Sequence, residues 1–149
     1  SLVNESAKFP SKKPILLKVS PDLSPEQLNQ TIDAAEEAGV DGYIATNTTT
    51  GRNNLKTKKS ELEKIGRGGL SGKPLRDVST EVIRFINQKL DGKKPIIGVG
   101  GIFTPMDALE KLEAGASLVQ VYTGFIYEGP FIVKRINKLL INKMFNTYI

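Results

Sequence analysis

Cysteine and histidine are both missing from these 149 residues. Without cysteine there can be no disulfide, thiolate zinc site or iron–sulfur ligation, and without histidine the commonest general base and metal ligand is gone. Long apolar runs are missing as well: a stretch such as Pro14-Ile15-Leu16-Leu17 falls far short of the roughly 20 residues that cross a bilayer. The opening Ser1-Leu2-Val3-Asn4-Glu5 lacks the basic start and apolar stretch of a signal peptide. Any chemistry therefore falls to Lys, Asp, Glu, Ser, Thr, Tyr or Asn, or to a cofactor.

What is present is an ordinary globular composition, 39% hydrophobic and 25% charged, of a length that fits one domain. The net charge of +5, from 21 basic against 16 acidic residues, does not point to nucleic acid. The basic residues are scattered apart from Lys56-Thr57-Lys58-Lys59 and Lys93-Lys94, and no aromatics are interleaved for base stacking.

Residues 1–13 read as a polar approach segment without periodicity, and residues 14–149 as the ordered body. Ile15-Leu16-Leu17-Lys18-Val19 is a compact apolar run of the kind that forms a strand covered on both faces. Ser24-Pro25-Glu26-Gln27 opens a helix as a capping box, Leu28, Ile32 and Ala35 form its inward stripe, and Gly39 ends it. A second strand, Tyr43 to Thr46, is followed by the polar run Asn47-Thr48-Thr49-Thr50 and a long polar excursion from Gly51 to Gly69. Helical spacing resumes after Pro74 with Val78, Val82, Ile86 and Leu90 and stops at Asp91-Gly92. Pro95 to Val99 is a third strand, Thr104-Pro105 caps a helix ending at Gly115, Leu118 to Tyr122 is a fourth strand, and Pro130 to about Met144 is a last amphipathic helix.

The pattern repeats. Lys12-Lys13-Pro14-Ile15 recurs as Lys93-Lys94-Pro95-Ile96, Ser24-Pro25 as Thr104-Pro105, and Ala38-Gly39 as Ala114-Gly115. Strand and helix alternate four times, which demands a parallel sheet: four βα units, half of a (β/α)8 barrel. A small open doubly wound sheet is the alternative. Polar and glycine residues gather at the C-terminal end of every strand, where barrel enzymes place their chemistry, and this favours the barrel, although open sheets also bind at strand ends.

Those strand ends supply the candidate residues, with Lys18 and Ser20 on the first strand. Lys18 interrupts an apolar run, where an ammonium needs an anion or acceptor unless it reaches solvent at the strand edge. Thr46-Asn47-Thr48-Thr49 offers donors and acceptors for a planar polar substrate, or forms a plain turn. Gly98-Val99-Gly100-Gly101 precedes a capped helix, so its backbone N–H groups can approach an anion; glycines there equally suit a tight turn. Tyr122-Thr123 ends the next strand, and the last two loops of a barrel are the usual phosphate site. Gly66 to Pro74 permits close backbone approach, with Ser71 and Gly72 in it. It lacks the Lys-Ser/Thr step and the leading strand of a nucleotide-triphosphate loop.

Five ordered motifs carry a resemblance: Leu17-Lys18-Val19-Ser20-Pro21-Asp22, Ala45-Thr46-Asn47-Thr48-Thr49, Gly68-Gly69-Leu70-Ser71-Gly72-Lys73-Pro74-Leu75-Arg76, Pro95 to Gly101, and Gly115 to Thr123. Together they resemble the dihydroorotate dehydrogenase family. The Thr-Asn-Thr-Thr run, the Lys-Pro-Leu-Arg extension and the Val-Tyr-Thr ending are similar to the quinone-dependent class 2 enzymes rather than the soluble class 1 branch.

The resemblance implies the C-terminal half of an FMN-binding TIM barrel that oxidises (S)-dihydroorotate to orotate in pyrimidine synthesis and passes the electrons to quinone. It implies that Lys18 contacts the flavin's N1/C2 carbonyl edge, that Thr46 and Gly72 bind flavin with Ser71 beside them, and that Gly100, Gly101, Tyr122 and Thr123 form the FMN phosphate site. Asn47 and Thr48 would bond the pyrimidine ring of the substrate. The family's catalytic base, a serine in class 2, and its membrane-contacting helices would precede this segment, so no residue here is assigned as catalytic. The whole enzyme would lie peripherally on the cytoplasmic face of a membrane, while the segment alone would be soluble and inactive. Two other readings stay open: a non-catalytic half-barrel that self-associates through its exposed strand edges, and an aldolase-like barrel with Lys18 as a Schiff-base lysine.

Overall fold

Four parallel strands stand side by side in chain order in the computed structural model, which describes residues 2–147 apart from 7, 10, 12 and 54, with side chains described through residue 143. Lys12 of the repeated Lys-Lys-Pro-Ile and Ser1 of the opening segment lie outside the described residues. The elements run α1 (Leu2–Ser6), β1 (Leu16–Val19), α2 (Pro25–Ala38), β2 (Gly42–Ala45), α3 (Lys59–Ile65), a 3-10 turn (Lys73–Leu75), α4 (Arg76–Lys89), β3 (Ile96–Val99), α5 (Pro105–Glu113), β4 (Leu118–Gln120), α6 (Thr123–Glu128) and α7 (Phe131–Thr147). The register sets Leu16 opposite Gly42, Tyr43 opposite Ile96 and Ile97 opposite Leu118. The order β1-β2-β3-β4 contains no reversal. A doubly wound sheet reverses at its switch point, whereas a barrel steps one way throughout, so this is half of a (β/α)8 barrel.

Local chemistry places the helices. Ser24 accepts from the Gln27 amide while the Gln27 side chain accepts from the Ser24 amide, and Thr104 and Asp107 repeat the box at α5. Each such cap is worth about 1 kcal/mol. Gly39 closes α2 at φ 76°, a left-handed turn that a side chain would resist. Leu28, Ile32 and Ala35 are buried as the spacing requires, against Val19, Tyr43, Ile83, Ile86 and Ile96. A second cluster, Ile102, Ala108, Ile132 and Ile136, seats α7 against α5.

Several expectations change. Val78 is not part of the inward face of α4: it is 45% exposed, and the buried stripe is Ser79, Thr80, Val82, Ile83 and Ile86. Two small polar residues occupy core positions there, so the apolar pattern holds at Val82 and Ile86 and fails at Val78. Residues 2–6 are helical inside the stretch read as irregular, and Val3 packs on the main core. The polar excursion contains α3, which buries nothing, and α6 follows β4 directly. The second strand ends at Ala45 and the fourth at Gln120, earlier than the sequence pattern implies.

Candidate functional site

The C-terminal ends of the strands are stitched together by main-chain bonds. The Asn47 N–H donates to the Val19 carbonyl and the Thr46 N–H to the Val99 carbonyl, both at 2.8 Å, so the loop after β2 bridges the ends of β1 and β3. The Ala45–Thr46 peptide is cis, and Thr46 is buried with its hydroxyl donating to the Asn47 carbonyl at 3.0 Å. Asn47 and Thr48 are exposed.

The loop beyond them is folded back by a small polar clasp. The Asp22 carboxylate accepts from the Thr50 N–H at 2.7 Å, from the Thr50 hydroxyl and from the Thr49 hydroxyl. The Thr49 hydroxyl, then the Thr50 amide, hold Asp22 below the usual carboxylate range. Arg52 donates to the carbonyls of Thr50, Gly51 and Gly68, and Thr49 and Leu70 exchange main-chain bonds at 3.1 and 2.7 Å. This returns Ser71 and Gly72 to the strand ends, where the Thr123 hydroxyl donates to Ser71 Oγ at 2.9 Å.

At the end of β3 the chain turns through Gly100 (φ 124°) and Gly101 (φ 72°). A Cβ on Gly100 would lie 3.0 Å from Ser79, and one on Gly101 would fall onto the Arg76 backbone. Close passage over α4 thus accounts for both glycines, and it leaves their backbone lining the strand-end cleft. On the far side α6 begins at Thr123, and its cap position, Tyr122, makes no side-chain capping bond.

These elements enclose one cleft of about 210 Å³. Lys18, Thr46, Asn47, Thr48, Ser71, Gly72, Gly100, Gly101, Tyr122 and Thr123 all line it, so the residues assigned to cofactor and substrate meet at one place, whereas the strand-end candidates Ser20, Thr49 and Gly98 do not line it. Sequence reasoning missed Gln120, Leu75, Ile102, Val121 and Gly124, which with Val99 complete the wall. Gln120 carried a signal, a polar residue at the end of an apolar strand. Leu75 carried none.

Among the described residues, the lining holds one cation, Lys18, and no carboxylate. The Lys18 side chain is exposed and makes no hydrogen bond or ion pair with the described residues. Hydroxyls of Thr46, Thr48, Ser71 and Thr123 and the Asn47 amide supply donors and acceptors, and the glycine turn and the start of α6 bring main-chain amides to the rim. That set fits a flat, hydrogen-bonding, anionic ligand: polar edges for a ring system, a positive charge, and backbone for an anionic group.

Behind the wall lies a group that the sequence did not flag. Lys111 of α5 is fully buried and donates to the Arg76 carbonyl and to the Thr80 hydroxyl. Burial pushes its ammonium down to about 8, opposed by Glu110. The inward spacing Ala108, Lys111, Leu112 is its only sequence signal. Asp107 beside it is pushed up by burial, yet the Phe103 and Thr104 amides and Arg76 hold it below its ordinary value.

Comparison with known proteins gives one answer throughout. The family model described as "Dihydroorotate dehydrogenase" matches residues 1–144. A protein of Christiangramia forsetii named dihydroorotate dehydrogenase (quinone) is 57% identical over 94% of this chain, and one of Nostoc punctiforme with the same name is 54% identical over 89%. The chain covers 39% and 36% of those two relatives, about two-fifths of their length. Among solved structures, a ligand-free DHODH of Eimeria tenella superposes with a TM-score of 0.84 at 36% identity, over 97% of this chain and 43% of that one. A DHODH of the same organism in complex with ferulenol gives 0.82 at 37% identity, over 94% of this chain and 36% of that one. By sequence across nearly its whole length and by fold, the chain belongs to the dihydroorotate dehydrogenase family.

Proposed function

We propose that this chain forms the flavin- and substrate-facing half of a barrel that oxidises (S)-dihydroorotate to orotate, with quinone as the electron acceptor, in de novo pyrimidine synthesis. The observation that carries this reading is the convergence of ten residues from four strand ends on a cleft with one unpaired lysine and no carboxylate. The names of the relatives support the substrate and the acceptor.

In this reading Lys18 holds the N1/C2 carbonyl edge of FMN, where a positive charge favours acceptance of electrons. Thr46, Ser71 and Gly72 hold the ring, and the backbone of Gly100, Gly101, Tyr122 and Thr123 receives the phosphate. Asn47 and Thr48 orient the pyrimidine ring through its carbonyl and N–H groups. FMN, when bound, supplies a two-electron acceptor that takes hydrogen from dihydroorotate and passes electrons to quinone. This reading assigns the proton acceptor to none of the residues of this chain.

Two further features support closure by additional barrel strands. β1 and β4 are the outer strands of the sheet, and Leu118 on β4 is 63% exposed although it sits in a strand. Among the described residues no helix is long and apolar enough to cross a membrane. The Schiff-base reading gains nothing here: Lys18 is exposed, and no carboxylate among the described lining residues stands beside it to serve as a base.

The test uses the full-length protein. Purified with its cofactor, it should carry flavin that (S)-dihydroorotate reduces anaerobically and that a short-chain ubiquinone reoxidises. Protein that holds no flavin, or flavin that dihydroorotate leaves oxidised, overturns the reading.

A further inference from the structure

The buried Lys111 lies outside the cleft, behind the glycine wall. Its Cβ packs at the back of β3, where a Cβ added to Gly98 would lie 3.1 Å away. Packing alone would be met by methionine or leucine, and a buried ammonium is tolerated only where acceptors receive it. Its acceptors are the Arg76 carbonyl and the Thr80 hydroxyl.

Counting protons and lone pairs shows what the charge does. The Arg76 carbonyl has two lone pairs and, as the first carbonyl of α4, takes the Thr80 N–H along the helix; three more donors lie within reach, Lys111 Nζ, the Thr80 hydroxyl at 3.0 Å and the Ser79 hydroxyl at 3.0 Å. The Ser79 hydroxyl has one proton and two acceptors, the Arg76 carbonyl and the Gly100 carbonyl at 3.1 Å. With Lys111 and Thr80 occupying Arg76, the Ser79 proton goes to Gly100. The Gly100 carbonyl is thereby tied to α4. In a trans peptide the next N–H, that of Gly101, points the opposite way, away from α4. Gly101 lines the cleft.

The geometry assigns Lys111 as a positioning residue for the anion-binding wall: through Arg76 and Ser79 it fixes the Gly100–Gly101 peptide so that the Gly101 N–H faces the cleft. The role rests on the reading of that cleft as an FMN site, and it adds a residue that touches neither cofactor nor substrate.

Riboflavin, which lacks the phosphate, separates this role from general support of the fold. In the full-length protein, dissociation constants for FMN and riboflavin are measured by flavin fluorescence quenching for the wild type, Lys111→Met and Ser79→Ala. Both variants are expected to bind FMN about tenfold more weakly or worse, with riboflavin changed by less than about threefold. Equal weakening of both flavins would reduce Lys111 to a packing role, and unchanged FMN binding in both variants would also overturn the assignment. Should Lys111→Met not fold, Ser79→Ala, which removes one oxygen, decides alone. A wild type that binds flavin without preferring FMN would sink the phosphate wall together with Lys111's role, whereas one that binds no flavin would sink the functional reading itself.

Discussion

Thr123, the first residue of α6, donates its hydroxyl to Ser71 Oγ at 2.9 Å and so ties the returning end of the loop after β2 to the start of a helix beyond β4. The two residues are 52 positions apart, and both line the cleft. A hydroxyl pair of this kind is worth about 0.5–1.5 kcal/mol when both partners are otherwise satisfied. Ser71→Ala and Thr123→Val should therefore each weaken FMN binding by severalfold in the full-length protein. The double variant should lose less than the two together, by a coupling of about 0.5–1 kcal/mol. Titration of the four proteins with FMN gives the cycle, and strict additivity would mean that the bond does not organise the site.

Lys18 is expected to separate stability from chemistry. Its side chain is exposed and bonds no described residue, so Lys18→Met should change unfolding free energy by no more than about 0.5 kcal/mol. The same change should slow flavin reduction by dihydroorotate sharply, by about a hundredfold if the charge faces the ring edge. Thermal unfolding and anaerobic stopped-flow reduction read the two effects. Near-normal reduction would remove Lys18 from the flavin.

Much of this was legible because local rules and tertiary needs agree. Ser24 with Gln27, Gly39, and the stripe Leu28, Ile32 and Ala35 each satisfy a helix rule and a packing demand together, so the helix is where the pattern puts it. The site was legible because polar residues at the ends of apolar strands have few other reasons to be there. Where the rules part, the sequence misleads. The buried face of α4 runs through Ser79 and Thr80, whose hydroxyls are satisfied by the Arg76 and Gly100 carbonyls, and the apolar Val78 beside them points out. α6 has no capping side chain and keeps Phe125, Ile126 and Tyr127 exposed, so it shows neither start signal nor inward stripe. Lys111 reads as a surface lysine until the carbonyl it reaches, 35 positions away, is known.

Glycine requirements in the strand-end loops can be ranked. Gly101 combines φ 72° with a Cβ direction that runs into the Arg76 backbone, which cannot move without α4. Gly68 has a permissive backbone and nothing within 4 Å of an added Cβ. Gly101→Ala should cost at least about 2 kcal/mol, and Gly68→Ala about 0.5 kcal/mol or less in either direction. Denaturant midpoints of the two variants against wild type make the comparison; equal effects would show that the chain relaxes around Gly101.

Lys111 also gives the protein a stability term that grows with pH. Its folded-state value is about 8, against 10.5 for an unperturbed lysine, with burial as the main cause. Below about pH 8 both states hold the proton, and the folded state carries the full cost of a buried charge. Between about pH 8 and 10.5 the folded state releases the proton while the unfolded state keeps it, so the unfolded state binds more protons and stability rises with pH. Above that range both states are neutral and the cost is gone. The charges facing Lys111 are Glu110, Asp107 and Asp77, which favour its protonated form, and Arg76, which opposes it. Lys111→Met has no such titration. The unfolding free energy of wild type relative to Lys111→Met should therefore shift in favour of wild type between pH 7 and 10, by about 1–3 kcal/mol. Denaturant melts of both proteins in matched buffers measure that difference directly. A difference that stays flat across the range would mean that the buried ammonium holds its proton as firmly as one in water.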